Sequence, residues 1–226
     1  MKKSFLFTAV ISLAVTFSAQ AETKTALAAK AIKAAAVLAE MNVRPEQAVP
    51  HSLLQRAVCI ATFPDLLRAG FILGATYGKG LISCRLNDEW SAPAFVSIGG
   101  VSGGFQIGAE ATDVILIFTN PDAARQLSQA DFTLDGDLGV AAGPVGQDAK
   151  AGTDYELASE IFSYSHSRGL FAGLTLNGSY YSVDYEANSL LYGDARAAEI
   201  LTRSLNWWSG PHELAPYVQA LKKYVR

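Results

Sequence analysis

Residues 89–119 read EWSAPAFVSIGGVSGGFQIGAEATDVILIFT. Three runs, APAFVSIGG, GFQIGAEA and DVILIFT, are short, carry β-branched or aromatic residues and are set off by glycine and aspartate, and runs of this kind are strand signals. The same cadence extends outward in both directions. AVCIATF (57–63), AGFILGATYG (69–78) and KGLISCRL (79–86) precede it, and FTLDGDLGVAAG (132–143), IFSYSHS (161–167), GLFAGLTLNG (169–178) and SYYSVDY (179–185) follow. Many of these runs recur every 8 to 14 residues without an intervening helix. That spacing suits an antiparallel sheet, sandwich or barrel, because a parallel sheet needs a crossover helix between successive strands. Nineteen glycines, most of them in this region, mark bends and close approaches, so the sheet is expected to curl tightly.

Helices flank the strands. ETKTALAAKAIKAAAVLAEM (22–41) is nearly polyalanine; at 100° per residue Leu27, Ala31, Ala34, Leu38 and Met41 share one face, and Lys30, Lys33 and Glu40 another. RPEQAVP (44–50) breaks it, and HSLLQRA (51–57) makes a short helix. NPDAARQLSQA (120–130) is the one helix expected among the strands, with Asn120 as cap and Pro121 in its first turn. At the far end come DARAAEILTRS (194–204) and PHELAPYVQALKKYVR (211–226), the latter with a Leu214, Val218, Leu221, Val225 stripe. The expected fold is α+β: a strongly bent antiparallel β-sheet or barrel-like core with N-terminal and C-terminal helices packed on it.

The first 21 residues, MKKSFLFTAVISLAVTFSAQA, join two lysines, an apolar run from Phe5 to about Phe17 and a small-x-small end, which reads as an export signal cleaved after Ala21. The run is shorter than the ~20 residues a spanning helix needs. The expectation is a periplasmic or secreted protein divided into the signal (1–21), an amphipathic helix and linker (22–49), a β-rich domain (50–193) and a helical extension of it (194–226). Loss of Lys2 and Lys3 with the signal leaves 16 basic against 21 acidic side chains, a balance that argues against nucleic acid as a partner. Cys59 and Cys84 lie in two strand runs; in an oxidising compartment they form either a bridge or a pair of buried thiols.

Catalytic patterns fail on context. Gly100-Val101-Ser102-Gly103-Gly104 matches G-x-S-x-G, and Asp113 and His166 follow in triad order, but what comes after Ser102 reads as strand rather than the helix of a nucleophile elbow. Gly78-Lys79 lacks the spacing and the hydroxyl of a phosphate loop. Asp131, Asp135 and Asp137 lack calcium-loop spacing, and His51, His166 and His212 form no metal-ligand pattern. Trp207-Trp208 suits burial or an interfacial anchor. A non-enzymatic protein without cofactor or metal is expected.

One ordered series of motifs remains: FPDLLRAGFILGATYGKGLISCR (63–85), EWSAPAFVSIGGVSGGFQIGAEATDVILIFTN (89–120), GPVGQDAKA (143–151), IFSYSHSRGLFAGLTLNGS (161–179) and NSLLYG (188–193). In these the chain closely resembles the SYLF lipid-binding domain, over about Pro50 to Gly193. The resemblance implies a non-catalytic domain that recognises phospholipid, phosphoinositides in eukaryotic members, assisted there by an amphipathic N-terminal helix; those members are also described as actin-binding regulators. Actin is absent from the compartment the signal implies, so lipid binding transfers better. Lys30, Lys33, Lys79, Arg85 and Arg168 are the candidate headgroup contacts. Gln147 and His166 stand where members often carry a basic residue, and a protonated His166 would restore one in acid. The alternative partner is a cell-envelope protein docked on the glycine-rich sheet.

Overall fold

The computed structural model describes residues 22–41, 43, 48–70, 73–103, 108–122, 126, 132–134, 140–144, 160–167, 170–173, 176, 179–205 and 211–225. Thr23 opens helix α1 (Lys24–Glu40), its hydroxyl accepting from the Ala26 amide. Leu27, Ala31, Ala34, Leu38 and Met41 are all buried. Helix α2 (His51–Arg56) leads into β1 (Cys59–Gly70), followed by β2 (Leu73–Leu86), β3 (Glu89–Trp90), β4 (Ala94–Gly103) and β5 (Gly108–Phe118). Then come β6 (Phe132–Thr133), β7 (Val140–Ala142), β8 (Ile161–Ser167), β9 (Leu170–Gly173) and β10 (Ser179–Val183). Helices α3 (Tyr185–Tyr192) and α4 (Ala197–Ile200), a single 3₁₀ turn (His212–Leu214) and α5 (Ala215–Tyr224) complete the chain. Among the described residues no helix is long and apolar enough to cross a membrane.

The strands form one curled sheet in the order β6-β10-β4-β2-β1-β5-β8-β7, with β3 beside β2 and β9 beside β8. The fold is α+β as expected, with one refinement: β7 runs parallel to β8, so the sheet is mixed. The runs read separately as AVCIATF, AGFILGATYG and KGLISCRL are two long strands. Pro64, which cannot donate a ladder hydrogen bond, is absorbed in a bulge between Phe63 and Leu66, where Asp65 takes a φ of 54° and the strand continues to Gly70. The described part of GLFAGLTLNG shortens to the four residues of β9, and α3 is a helix that the motif NSLLYG did not announce.

Both faces of the sheet are covered over its lower half. On one face Ile60, Leu81, Phe95, Ile115, Ile117 and Phe162 pack against α1, α2 and α5. This is the helix side. On the other, Phe63, Leu66, Ile82, Ile98, Val114, Leu116 and Tyr181 pack inside the curl, closed by Ile200 and Leu201 at α4. The curl needs glycine at Gly80: a Cβ there would lie 2.4 Å from the Thr62 carbonyl oxygen and 2.6 Å from the Phe63 ring. Tyr217 of α5 ties helix layer to sheet, its buried hydroxyl lying 3.1 Å from the carbonyl oxygens of Ile60 and Leu81 and 3.2 Å from the Thr62 hydroxyl. Asn188 of α3 caps β4, accepting from the Phe95 amide at 2.7 Å and donating to the Phe95 carbonyl at 2.9 Å.

Candidate functional site

The strand register stacks the helix side into rows. The lower rows, containing Ile60 and Ile117 and then Thr62, Leu81, Phe95 and Ile115, are covered by helices. Next comes a polar belt, with His166 opposite Asp113 and Lys79 opposite Ser97, which in turn pairs with Ser182. Asp65, at the bulge, joins it by donating its amide to the Asp113 carboxylate at 2.9 Å. Beyond the belt the same face carries Ala111, Leu67, Tyr77, Gly99 and Tyr180 in one row, and Ala109, Ala69, Ala75 and Val101 in the last.

Most of the candidate cations are consumed by this belt or by the backbone. Lys79 forms an ion pair with Asp184 at 2.8 Å and donates to Glu22 at 3.0 Å; burial lowers its pKa, but these two carboxylates outweigh that and raise it above the ordinary lysine value. Lys33 pairs with Asp65 at 2.5 Å, which raises its pKa, while its side chain stays 62% exposed. Lys30 is half-buried between them, and burial lowers its pKa, partly offset by Glu22 and Asp65. Arg85 is structural: its guanidinium donates to the carbonyls of Ala57 and Leu54 and stacks 4.8 Å from the Trp90 ring centroid. Arg168, Gln147, Trp207 and Trp208 lie outside the described residues.

The cysteines face each other across β1 and β2 and are bridged, with a Cα separation of 4.0 Å. His166 lies between two of the protein's own carboxylates, Nε2 at 3.2 Å from Glu40 and Nδ1 at 3.5 Å from Asp113. Ser102 sits within β4 opposite Gly74 of β2, with β2 and β1 between its strand and that of Asp113, so no Ser-His-Asp group is assembled. Among the described residues no group of three His, Cys, Asp or Glu is arranged to hold a metal.

What the register brings together instead is an uncovered ledge. α1 enters at the belt, where Glu22 meets Lys79, and beyond it, among the described residues, no helix covers the helix side of β1, β2, β4, β5 and β10. Leu67, Tyr77, Val101 and Tyr180 are 46–71% exposed, and Ala69, Ala75, Ala109 and Ala111 are exposed beside them. No residue named in these two rows is charged. The reverse face of the same strand ends holds Arg68 opposite Thr76 and Glu110. Sequence reasoning missed the ledge and the acidic half of the belt, because both exist only once the register is known. The one available signal was GATYG, an aromatic set between glycines.

A family profile described as "Ysc84: Las17-binding protein actin regulator" matches residues 99–224. The chain is similar to the rat "SH3 domain-containing YSC84-like protein 1", 32% identical over 221 residues, covering 88% of this chain and 65% of that protein. It is also similar to "LAS seventeen-binding protein 3" of Saccharomyces cerevisiae, 36% identical over 179 residues, covering 75% of this chain and 39% of the yeast protein. The Xenopus laevis YSC84-like protein 1 is 35% identical over 178 residues, with 77% and 52% covered. The chain thus spans between about two fifths and two thirds of these relatives' lengths.

Proposed function

The chain belongs to the Ysc84 (SYLF) family, and on that footing we propose that it is a non-catalytic binding domain that attaches to a phospholipid surface of the cell envelope after export. The observation that carries the reading is the uncharged ledge, a patch of exposed apolar residues beyond the polar belt. Contiguous apolar exposure of this kind is uncommon on a monomer unless it meets a partner or a membrane. Lys33, exposed on α1 and paired with Asp65 two residues before Leu67, stands at its border. The first 21 residues support export.

Co-sedimentation with vesicles of neutral phosphatidylcholine, and of the same lipid with one quarter phosphatidylglycerol, tests this at low salt. Binding to the anionic vesicles is the expected result, and a protein that stays in the supernatant with both refutes it. The family description favours a second reading, a protein-docking module of the envelope. A stoichiometric envelope protein recovered without lipid dependence would support that reading instead.

A further inference from the structure

The rows above the belt have an order that a protein interface does not require. Charge comes first, at Lys79, Asp113, His166 and Asp65; the next row holds Leu67, Tyr77 and Tyr180; the last holds Ala69, Ala75 and Val101. Polarity therefore falls steadily along the strands, whereas a protein-protein patch has an apolar centre ringed by polar residues. The patch is also small, far short of the roughly 20–30 residues a side of a stable protein interface, so it offers too little to hold a second copy of this chain. In sequence, the links from β1 to β2 (Phe71-Ile72) and from β4 to β5 (Gly104-Phe105-Gln106-Ile107) carry no charge.

The spacing matches a bilayer leaflet. At about 3.3 Å per residue, Tyr77 lies about 7 Å along β2 from Lys79 and Ala75 about 13 Å from it. The headgroup layer of one leaflet is about 5–8 Å deep, the difference between total and hydrocarbon thickness shared over two sides. With the belt at the outer edge of the headgroups, the tyrosines fall at the headgroup boundary, where amphipathic rings are favoured, and the Ala/Val row reaches the acyl chains. The charge distribution agrees: an uncharged face meets the acyl layer, and the paired charges of the belt stay at the water.

Resting on the lipid-surface reading, we propose that the ends of β1, β2, β4 and β5 form a shallow membrane-inserting ledge, strand ends down, with the charged belt as its waterline. Arg68 and Glu110, opposite each other on the reverse face of the same strand ends, keep the insertion shallow, because charge is costly to bury in the acyl layer. Attachment is then governed by apolar contact more than by the lysines.

The test uses the chain from residue 22 onward with its disulfide intact, a fluorescent NBD label on an added cysteine in Val101→Cys or, as control, in Arg196→Cys, and vesicles of three parts phosphatidylcholine to one part phosphatidylglycerol. Val101 is 71% exposed, so neither it nor its variants bears on folding, which thermal denaturation verifies. The expected results are a blue-shifted NBD emission quenched by acyl-chain doxyl lipids at position 101 only, at least tenfold weaker vesicle binding by Val101→Asp, and less than threefold weakening in 0.5 M salt. Wild-type protein that ignores the vesicles overturns the lipid reading itself. Binding with an unquenched label at 101, or unaffected by Val101→Asp, overturns the ledge and leaves the lipid reading standing. A dimer that Val101→Asp dissociates assigns the face to a second copy and overturns the ledge as well.

Discussion

Lys79→Met separates a structural cation from a headgroup contact. The Nζ of Lys79 lies 2.8 Å from Asp184 and 3.0 Å from Glu22, whose side chains are only 7% and 14% exposed. The substitution removes the one cation between two carboxylates, and Asp184 cannot simply swing away, because its other oxygen accepts from the Ala187 amide at the start of α3. Removing one partner of a fully buried ion pair costs about 3–5 kcal/mol. Lys79 retains 27% exposure and Glu22 sits at the chain's entry into α1, so the expected loss is smaller, about 2–3 kcal/mol. For a domain of this size that corresponds to a fall in Tm of about 4–12 °C. Circular dichroism melts read the stability, and vesicle co-sedimentation well below Tm reads binding, which is expected to stay within twofold of wild type. An unchanged Tm together with lost vesicle binding would refute the assignment and return Lys79 to the list of lipid contacts.

Tyr217→Phe should cost about 1–3 kcal/mol in chemical denaturation, since it strips a buried hydroxyl from the carbonyls of Ile60 and Leu81; no loss would mean that α5 is not tied to the sheet there. Gly80→Ala should destabilise by about 1–3 kcal/mol or more, because the methyl meets backbone and ring atoms at once, and an unchanged urea midpoint would contradict the close approach. Reducing the Cys59–Cys84 bridge, which spans 25 positions, should remove about 3.5 kcal/mol on the chain-entropy estimate, read as a lower Tm in reductant. Stability should also fall above about pH 10. Burial raises the pKa of Tyr217, Tyr164 and Tyr192, so only the unfolded chain releases those protons there, and the raised pKa of Lys79 acts in the same sense, its contribution being full below the unfolded value and lost as pH rises through the folded one. A melt series from pH 7 to 11 with no decline above pH 10 would contradict this.

The local patterns were legible and the long-range partnerships were not. The stripe of α1 could be read from spacing alone, because a 3.6-residue period depends on nothing outside the helix, and Leu27, Ala31, Ala34, Leu38 and Met41 are buried accordingly. The same wheel put Lys33 outward but gave no hint that Asp65, 32 positions away, would hold it. Lys79 and Arg85 looked like surface cations because their partners, Asp184 and the carbonyls of Leu54 and Ala57, come from other elements. Strand cadence announced the sheet; Pro64 misled, since a residue that ends a regular strand is tolerated in a bulge. The helix of α3 hid because eight residues rich in Asn, Ser and Tyr have little intrinsic helicity, and it is held by the Asp184 cap and the Asn188 bonds to Phe95.

The bulge at Asp65 acts as a phase shifter. From Thr62 to Leu67 β1 advances five residues while β2 advances four, from Leu81 to Tyr77, and β5 likewise four, from Ile115 to Ala111. Strict alternation from Ile60 and Thr62 would have turned Leu66 and Arg68 to the helix side and buried Leu67 in the curl. The one extra residue exchanges the two sets: Leu66 fills the interior, Arg68 goes to the reverse face, and Leu67 and Ala69 come forward beside Tyr77 and Ala75. The same chain paired without the bulge would keep its composition and its strands yet carry a guanidinium in the middle of the open face, so the chemical character of that surface is set by where one residue steps out of register rather than by which residues the strand contains.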